Sequence, residues 1–455
     1  MTLSRLTVIV IASLAGLLFG FDTAVIAGVT QALREAYGLS PAGLGATVSS
    51  ALWGTLLGAL LMGGPGDRFG ARNVLRFIGL LYLVSAIGCA LAWSLSSFVV
   101  FRFLTGIAIG GSSVLAPVYI AETAPARRRG ALVGLFQFNI VFGILAAYLS
   151  NYLVAQAVDG MTAWRWKLAV AAFPALLFFS LLFTIPQSAR WLVVRGRIAQ
   201  AVTSLRRLGD DTPLATVEEF QRASEVSDPR PSLSWRRHRG PIVLAVTLAL
   251  FNQLSGINAI LYYLGDIFKA AGFSALSADG QSVAIGATNL AATVVAMSII
   301  DKAGRKRLLL SGAVGMALAL SGVAIIMKLE RGQSFLLWML IVFIASFAVS
   351  QGAVIWVYLS ELFPTALRAR GQSLGSATHW VMNALIAGIF PAVAAHSKAA
   401  PFAFFAAMMV LQLVVVWRWF PETKGIALED MERKLAREPD YGSVPSDPGA
   451  LNAKA

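Results

Sequence analysis

Gly66-Asp67-Arg68-Phe69-Gly70-Ala71-Arg72 lies between two apolar runs, and Asp301-Lys302-Ala303-Gly304-Arg305-Lys306-Arg307 lies between two more, with the aspartates 234 residues apart. Two other pairs repeat at nearly the same interval. Glu122-x-x-Pro125 with Arg129 recurs 239 residues on as Glu361-x-x-Pro364 with Arg368, and Pro186-Gln187 recurs 235 residues on as Pro421-Glu422. This spacing fits two parallel units side by side. Such units place a substrate site at their interface, near the middle of a bilayer.

The sequence around these motifs supports that reading. Of 455 residues, 57% are hydrophobic and 13% charged, against about 25% charged in soluble domains. The apolar residues come in long runs rather than in the short alternation of a membrane β-barrel. Runs of about 20 residues predict an all-α membrane protein with twelve spans, at 7–29, 43–64, 74–94, 98–119, 130–155, 167–185, 241–269, 280–300, 307–327, 335–359, 371–393 and 401–420. The expected division is a six-helix bundle over 1–186, a linker over 187–240, a second bundle over 241–420 and a tail over 421–455. In the linker, Ile198, Val202, Leu205 and Leu208 repeat at helical spacing, as Leu428, Met431 and Leu435 do in the tail. Both predict amphipathic helices on the membrane surface. The residues after Arg437 read as disordered.

Charge sets the expected orientation. With both termini in the cytoplasm, 29 of the 37 Lys and Arg fall on that side, ten of them arginines of the linker. The net charge of +14 then records topology rather than nucleic-acid binding. The apolar stretch from Thr7 to Gly28 is long enough to span and reads as an uncleaved first helix. Cys89 is the one cysteine, so no intramolecular disulfide forms. No metal-ligand cluster, P-loop or nucleophile elbow is present, which argues against an enzyme, a metal or a cofactor.

A polar residue inside a span is costly and therefore a functional candidate. The seventh run carries Asn252, Gln253 and Asn258, amides that both donate and accept hydrogen bonds. They do not share one stripe of a straight helix, but a break at Gly256 turns them toward one cavity. Asp22 and Arg102 are the two charges left more than three residues inside the ends of the expected spans, and their opposite signs suggest an ion pair. Glu122, Arg129, Glu361 and Arg368 lie at span ends with alternating sign and read as a gate.

The motif set resembles the sugar porter family of the major facilitator superfamily. Besides the repeated loops, the chain carries Arg102-Phe-Leu-Thr-Gly-Ile-Ala-Ile-Gly-Gly, Pro117-Val-Tyr-Ile-Ala-Glu122-Thr-Ala-Pro125, Gln253-Leu-Ser-Gly-Ile-Asn258 with Tyr262-Tyr263, and Pro421-Glu-Thr-Lys-Gly425. The resemblance implies two bundles related by a pseudo-two-fold axis. It implies sugar-binding positions at Gln137, Asn252, Gln253, Asn258, Asn289, Trp356, His379 and Trp380. It implies that Glu122 faces Arg368 and Glu361 faces Arg129 across the halves, with Asp67, Arg68, Arg72, Asp301 and Arg305 joining the network. In the family, Asp at position 22 marks proton-coupled symporters, whereas facilitative carriers have Asn. Several positions depart from the pattern. Asn252 replaces the first Gln of a Gln-Gln pair, and His379 stands where Gln or Asn is usual. Ala71 replaces an Arg, and Gln187 and Ala189 replace Glu and Pro, which predicts weaker local contacts. Ile144 tilts the substrate toward a hexose.

The expected function is proton-coupled monosaccharide symport by alternating access, driven by the proton gradient without a cofactor. The expected partners are sugar, proton and bilayer, with no nucleic acid, in a monomer of a bacterial plasma membrane. A facilitative uniporter and a pentose or polyol symporter are the nearest alternatives. A drug antiporter fits the amide cluster poorly, and a sugar sensor would need a longer tail.

Overall fold

The structure is a computed structural model that describes residues 5–125, 129–158, 160, 162–225, 233–363 and 367–424. It has twelve helices long and apolar enough to cross a membrane: α1 Arg5–Gly28, α2 Pro41–Leu61, α3 Ala71–Ala90, α4 Leu95–Thr123, α5 Leu132–Ala157, α6 Ala163–Leu181, α7 His238–Tyr262, α8 Ala275–Ile300, α9 Arg305–Leu329, α10 Gln333–Glu361, α11 Arg370–His396 and α12 Ala400–Trp419. The expected spans agree in number and order. Both α6 and α8 begin earlier than expected, at Ala163 and Ala275. For α8 the cause is a cap, because Ser274 Oγ accepts the Ser277 N–H at 3.2 Å and starts the helix in polar sequence. Asp279 therefore lies within a span, and Lys167, which the expected span placed at its very edge, lies a turn inside α6; this corrects the expectation that Asp22 and Arg102 were the charges left there.

The same packing recurs in each half. α1 packs on α5, α2 on α4 and α3 on α6; six helices later, α7 packs on α11, α8 on α10 and α9 on α12. The halves meet through α2 with α11 and α5 with α8, pairs that exchange under a two-fold axis. Small residues make the closest seams. Gly54 and Gly58 of α2 lie against the backbone of α4, and Gly106 and Gly110 of α4 lie against that of α2. Apolar side chains gain nothing over lipid at such a seam, whereas close backbone approach adds dispersion contacts.

With an even number of spans, Arg5 and Lys424 sit on one side, here called the basic face; the other is the far face. On the basic face the linker forms helices Ala189–Val194, Ile198–Arg207 and Pro213–Glu225. Leu192, Val202, Leu205 and Val217 of these helices make a small core of their own, whereas Leu208 packs against the first bundle. The helix expected around Leu428 lies outside the described residues. On the far face the halves are closed together: Gly45 of α2 abuts the backbone of Gly388 of α11, and the Tyr148 O–H of α5 donates to the Leu261 carbonyl at 2.9 Å.

Candidate functional site

The break expected in α7 is present. Gly256 has φ +80°, and a Cβ there would collide with the Phe405 ring, so both conformation and space demand glycine. The freed backbone is satisfied locally. Ser255 Oγ donates to the Asn252 carbonyl at 2.7 Å and accepts the Ile257 N–H at 3.3 Å. The turn folds Asn258 back onto Gln253, where Asn258 Nδ2 donates to Gln253 Oε1 at 3.1 Å. Gln253 Nε2 donates to Asn252 Oδ1 at 3.0 Å and meets the nitrogens of His379 at 3.1 and 3.2 Å. An amide nitrogen only donates, so the His379 ring presents an acceptor to Gln253 and is unprotonated on that side. This neighbourhood fixes the amide orientation of Gln253.

Aromatic rings line the same place. The His379 ring centroid lies 5.4 Å from that of Trp356 and 5.1 Å from that of Trp380, and Trp380 lies 5.6 Å from Phe19 of the other half. Trp380 is buried, whereas Trp356 is 37% exposed. Six of the eight expected sugar residues are thus brought together on α7, α10 and α11. Gln137 on α5 is half-buried and Asn289 on α8 is buried, and both stand outside that bonded group. Sequence reading missed one pair beside the cluster. Asn383 Nδ2 donates to the buried Tyr262 hydroxyl at 3.2 Å. The signal was available, since Asn383 is an amide inside an apolar run.

Asp22 and Arg102 form the expected ion pair, Arg102 Nη1 to Asp22 Oδ1, at 2.5 Å. The Arg102 side chain is 4% exposed and that of Asp22 is 14% exposed. Two charges at this depth hold together only because each offsets the other's desolvation. A narrow cavity lined by Asp22, Arg102, Phe19, Tyr262 and Trp380 connects the pair to the aromatic wall of the amide cluster. A second narrow cavity, inside the first half, adjoins Asp22, Arg102, Tyr82, Cys89 and Thr105. Among the described residues, Arg102 Nε has no hydrogen-bond partner.

At the basic face the ion pairs among the described residues lie within one half, within the linker, or between a half and the linker. Arg305 grips Glu361 with two nitrogens, at 2.8 and 3.2 Å, and Thr423 Oγ1 donates to Glu361 at 2.6 Å. Arg72 donates to Asn73 and to the Ile185 carbonyl, Arg68 lies over the Phe69 ring, and the Asp67 carbonyl accepts from Trp191 and Arg195. Glu122 is half-buried beside Ser188 and Arg190 and makes no ion pair among the described residues. The side chains of Arg129, Asp301 and Arg368, expected in the gate, lie outside the described residues.

Twelve spans in two matched bundles, with an ion pair inside the first, a polar cluster inside the second and Phe19 of one touching Trp380 of the other, are the architecture of a membrane carrier. The chain belongs to the sugar (and other) transporter family, whose model matches residues 8–435. It is 36% identical to the D-xylose-proton symporter of Escherichia coli (strain K12), over 94% of both chains. It is 35% identical to the arabinose-proton symporter of Bacillus subtilis (strain 168), over 93% of both chains. The inward open conformation of the xylose transporter from E. coli superposes with a TM-score of 0.85 at 34% identity, covering 94% of this chain and 99% of that one. The protein is a multi-pass membrane protein of the plasma membrane.

Proposed function

We propose that this protein is a proton–monosaccharide symporter with the basic face in the cytoplasm. The observation that carries the reading is the cavity joining the Asp22–Arg102 pair to Trp380 and Tyr262 beside the amide cluster. The amides and His379 recognise hydroxyls, and the exposed Trp356 offers its face to the C–H side of a sugar ring. Asp22 takes up a proton when a helix movement draws Arg102 away, and releases it when the pair re-forms. Proton and sugar then favour the same transition, which is coupling by linkage. The proton gradient drives transport without a cofactor, and the working unit is a monomer in lipid built from units 1–186 and 241–420.

With the far face closed, the structure is read as inward-facing. When the basic face closes instead, Glu122 meets Arg368 and Glu361 meets Arg129 across the halves. Ile144 favours a hexose. The names of the two relatives favour a pentose as the second reading. A panel of labelled hexoses and pentoses, taken up by vesicles with and without an imposed proton gradient, decides between them. In the same assay Gln253→Ala should weaken affinity about 5- to 150-fold. Affinity equal to the parent's would remove Gln253 from the site. A reporter active only in the cytoplasm, fused to the linker, checks orientation, and silence there would reverse it.

A further inference from the structure

Lys167 of α6 and Asp279 of α8 stand in opposite halves, and Lys167 Nζ lies 2.7 Å from Asp279 Oδ2. The same ammonium donates to the carbonyl of Gly28, the last residue of α1, at 3.1 Å. One cation therefore ties two helices of the first half to one of the second. Both side chains are buried, with 9% and 10% of their surfaces exposed. Among the described residues it is the ion pair that joins the halves, since the others hold partners within one half or its linker.

Its surroundings explain why it must be paired. It sits toward the far face, on the side where Gly28, Asp279 and the start of α8 come together. Close by, Gly286 of α8 lies against Leu145 and Tyr148 of α5, so the seam below the pair is tight and largely apolar. A lone ammonium or carboxylate in such a seam is strongly unfavourable. Opening the far face parts α5 from α8 and carries Lys167 away from Asp279. Both ions then gain water, so the pair is lost without leaving a buried charge.

We propose that Lys167 and Asp279 form an electrostatic latch that shuts the far face and sets the balance between the two access states. This rests on the alternating-access reading above. It assigns to the far face a counterpart of the basic-face gate. Removing one partner destabilises only the closed state, because only there is the remaining charge dry. Replacing both by apolar side chains of similar size removes the hydration that rewards opening and so favours closure.

The test reads exposure of the seam, not transport. Leu145→Cys, in a Cys89→Ala background of the full chain, places one thiol on the α5–α8 seam. Intact cells are treated from outside with a membrane-impermeant maleimide, and the labelling rate follows the fraction of open molecules. Asp279→Asn and Lys167→Met should each label about ten- to a hundred-fold faster than the parent. Lys167→Met with Asp279→Leu should label more slowly than the parent. The exchanged pair, Lys167→Asp with Asp279→Lys, should return to within about threefold of the parent rate. Single variants of normal abundance that label at the parent rate would overturn the latch. So would a double apolar variant that labels as fast as the single ones. The assay needs neither sugar nor proton gradient, so either failure leaves the symport reading to its own uptake test.

Discussion

The two halves carry the same motif at the basic face but complete it differently. In both, a left-handed glycine starts the helix after the loop: Gly70 at φ +83° before α3 and Gly304 at φ +89° before α9. In both, the side chain after a proline reaches that glycine, Gln187 at Gly70 and Glu422 at Gly304. The chemistry then diverges. The Glu422 carboxylate accepts the N–H groups of Arg305 and Lys306 at 2.9 and 3.1 Å, capping α9, and Arg305 holds Glu361. In the first half Ala71 stands where Arg305 would, and Gln187 brings no charge. Arginines of the first half and of the linker turn instead to carbonyls just past the end of α6: Arg76 to Leu182, Arg207 to Thr184 and Arg72 to Ile185. The halves share the backbone geometry, and among the described residues the ionic clamp is in the second alone. There Arg305 grips Glu361, whereas Glu122 lies beside Ser188 and Arg190.

Breaking the Arg305–Glu361 clamp should have the largest effect. Arg305→Ala leaves Glu361 without its guanidinium. It should cost about 2 kcal/mol, an estimate discounted because Glu361 is a quarter exposed. The thermal midpoint of the purified carrier should fall, and an unchanged midpoint would mean the clamp is not structural. Glu422→Gln should cost about 1 kcal/mol through the lost charged cap. Its effect depends on pH with a definite sign. Burial pushes the Glu422 carboxyl up, but N–H groups of Lys424, Arg305, Lys306 and Thr423 outweigh it and hold the group below the usual glutamate value. The cap therefore contributes fully above the ordinary glutamate pKa of about 4.3. Its contribution fades as pH falls through the lower folded value. The midpoints of parent and Glu422→Gln should converge in acid, and a constant gap would contradict this. The smallest effect is the converse. Ala71→Arg with Gln187→Glu gives the first half the second half's set and should raise the midpoint by the equivalent of about 0.5–1 kcal/mol. Lower stability would show that Ala71, which is buried, has no room for the longer chain.

Most of the architecture was legible because hydropathy and the repeated loops act over long stretches. The break at Gly256 was legible too, since scattered amides on one run need a turn to meet. The starts of α6 and α8 were not, and two buried charges were missed with them. A cap such as Ser274 lets a helix begin in polar sequence, and Lys167 and Asp279 are tolerated in spans only because they find each other across the halves. Nor was the bonding of His379 to Gln253 legible, because it depends on how α11 faces the broken part of α7. Nor was the grip of Arg305 on Glu361, within the same half, since it depends on how α9 and α10 pack.

Asp22 bears most directly on coupling. Asn at this position mimics the protonated carboxyl and cannot cycle. In vesicles with an imposed proton gradient, Asp22→Asn should lose concentrative sugar uptake yet keep counterflow exchange of labelled for unlabelled sugar. The parent should concentrate sugar and acidify the vesicle interior when sugar is added outside. Concentrative uptake by Asp22→Asn, or parent uptake indifferent to the gradient, would contradict proton coupling through this pair.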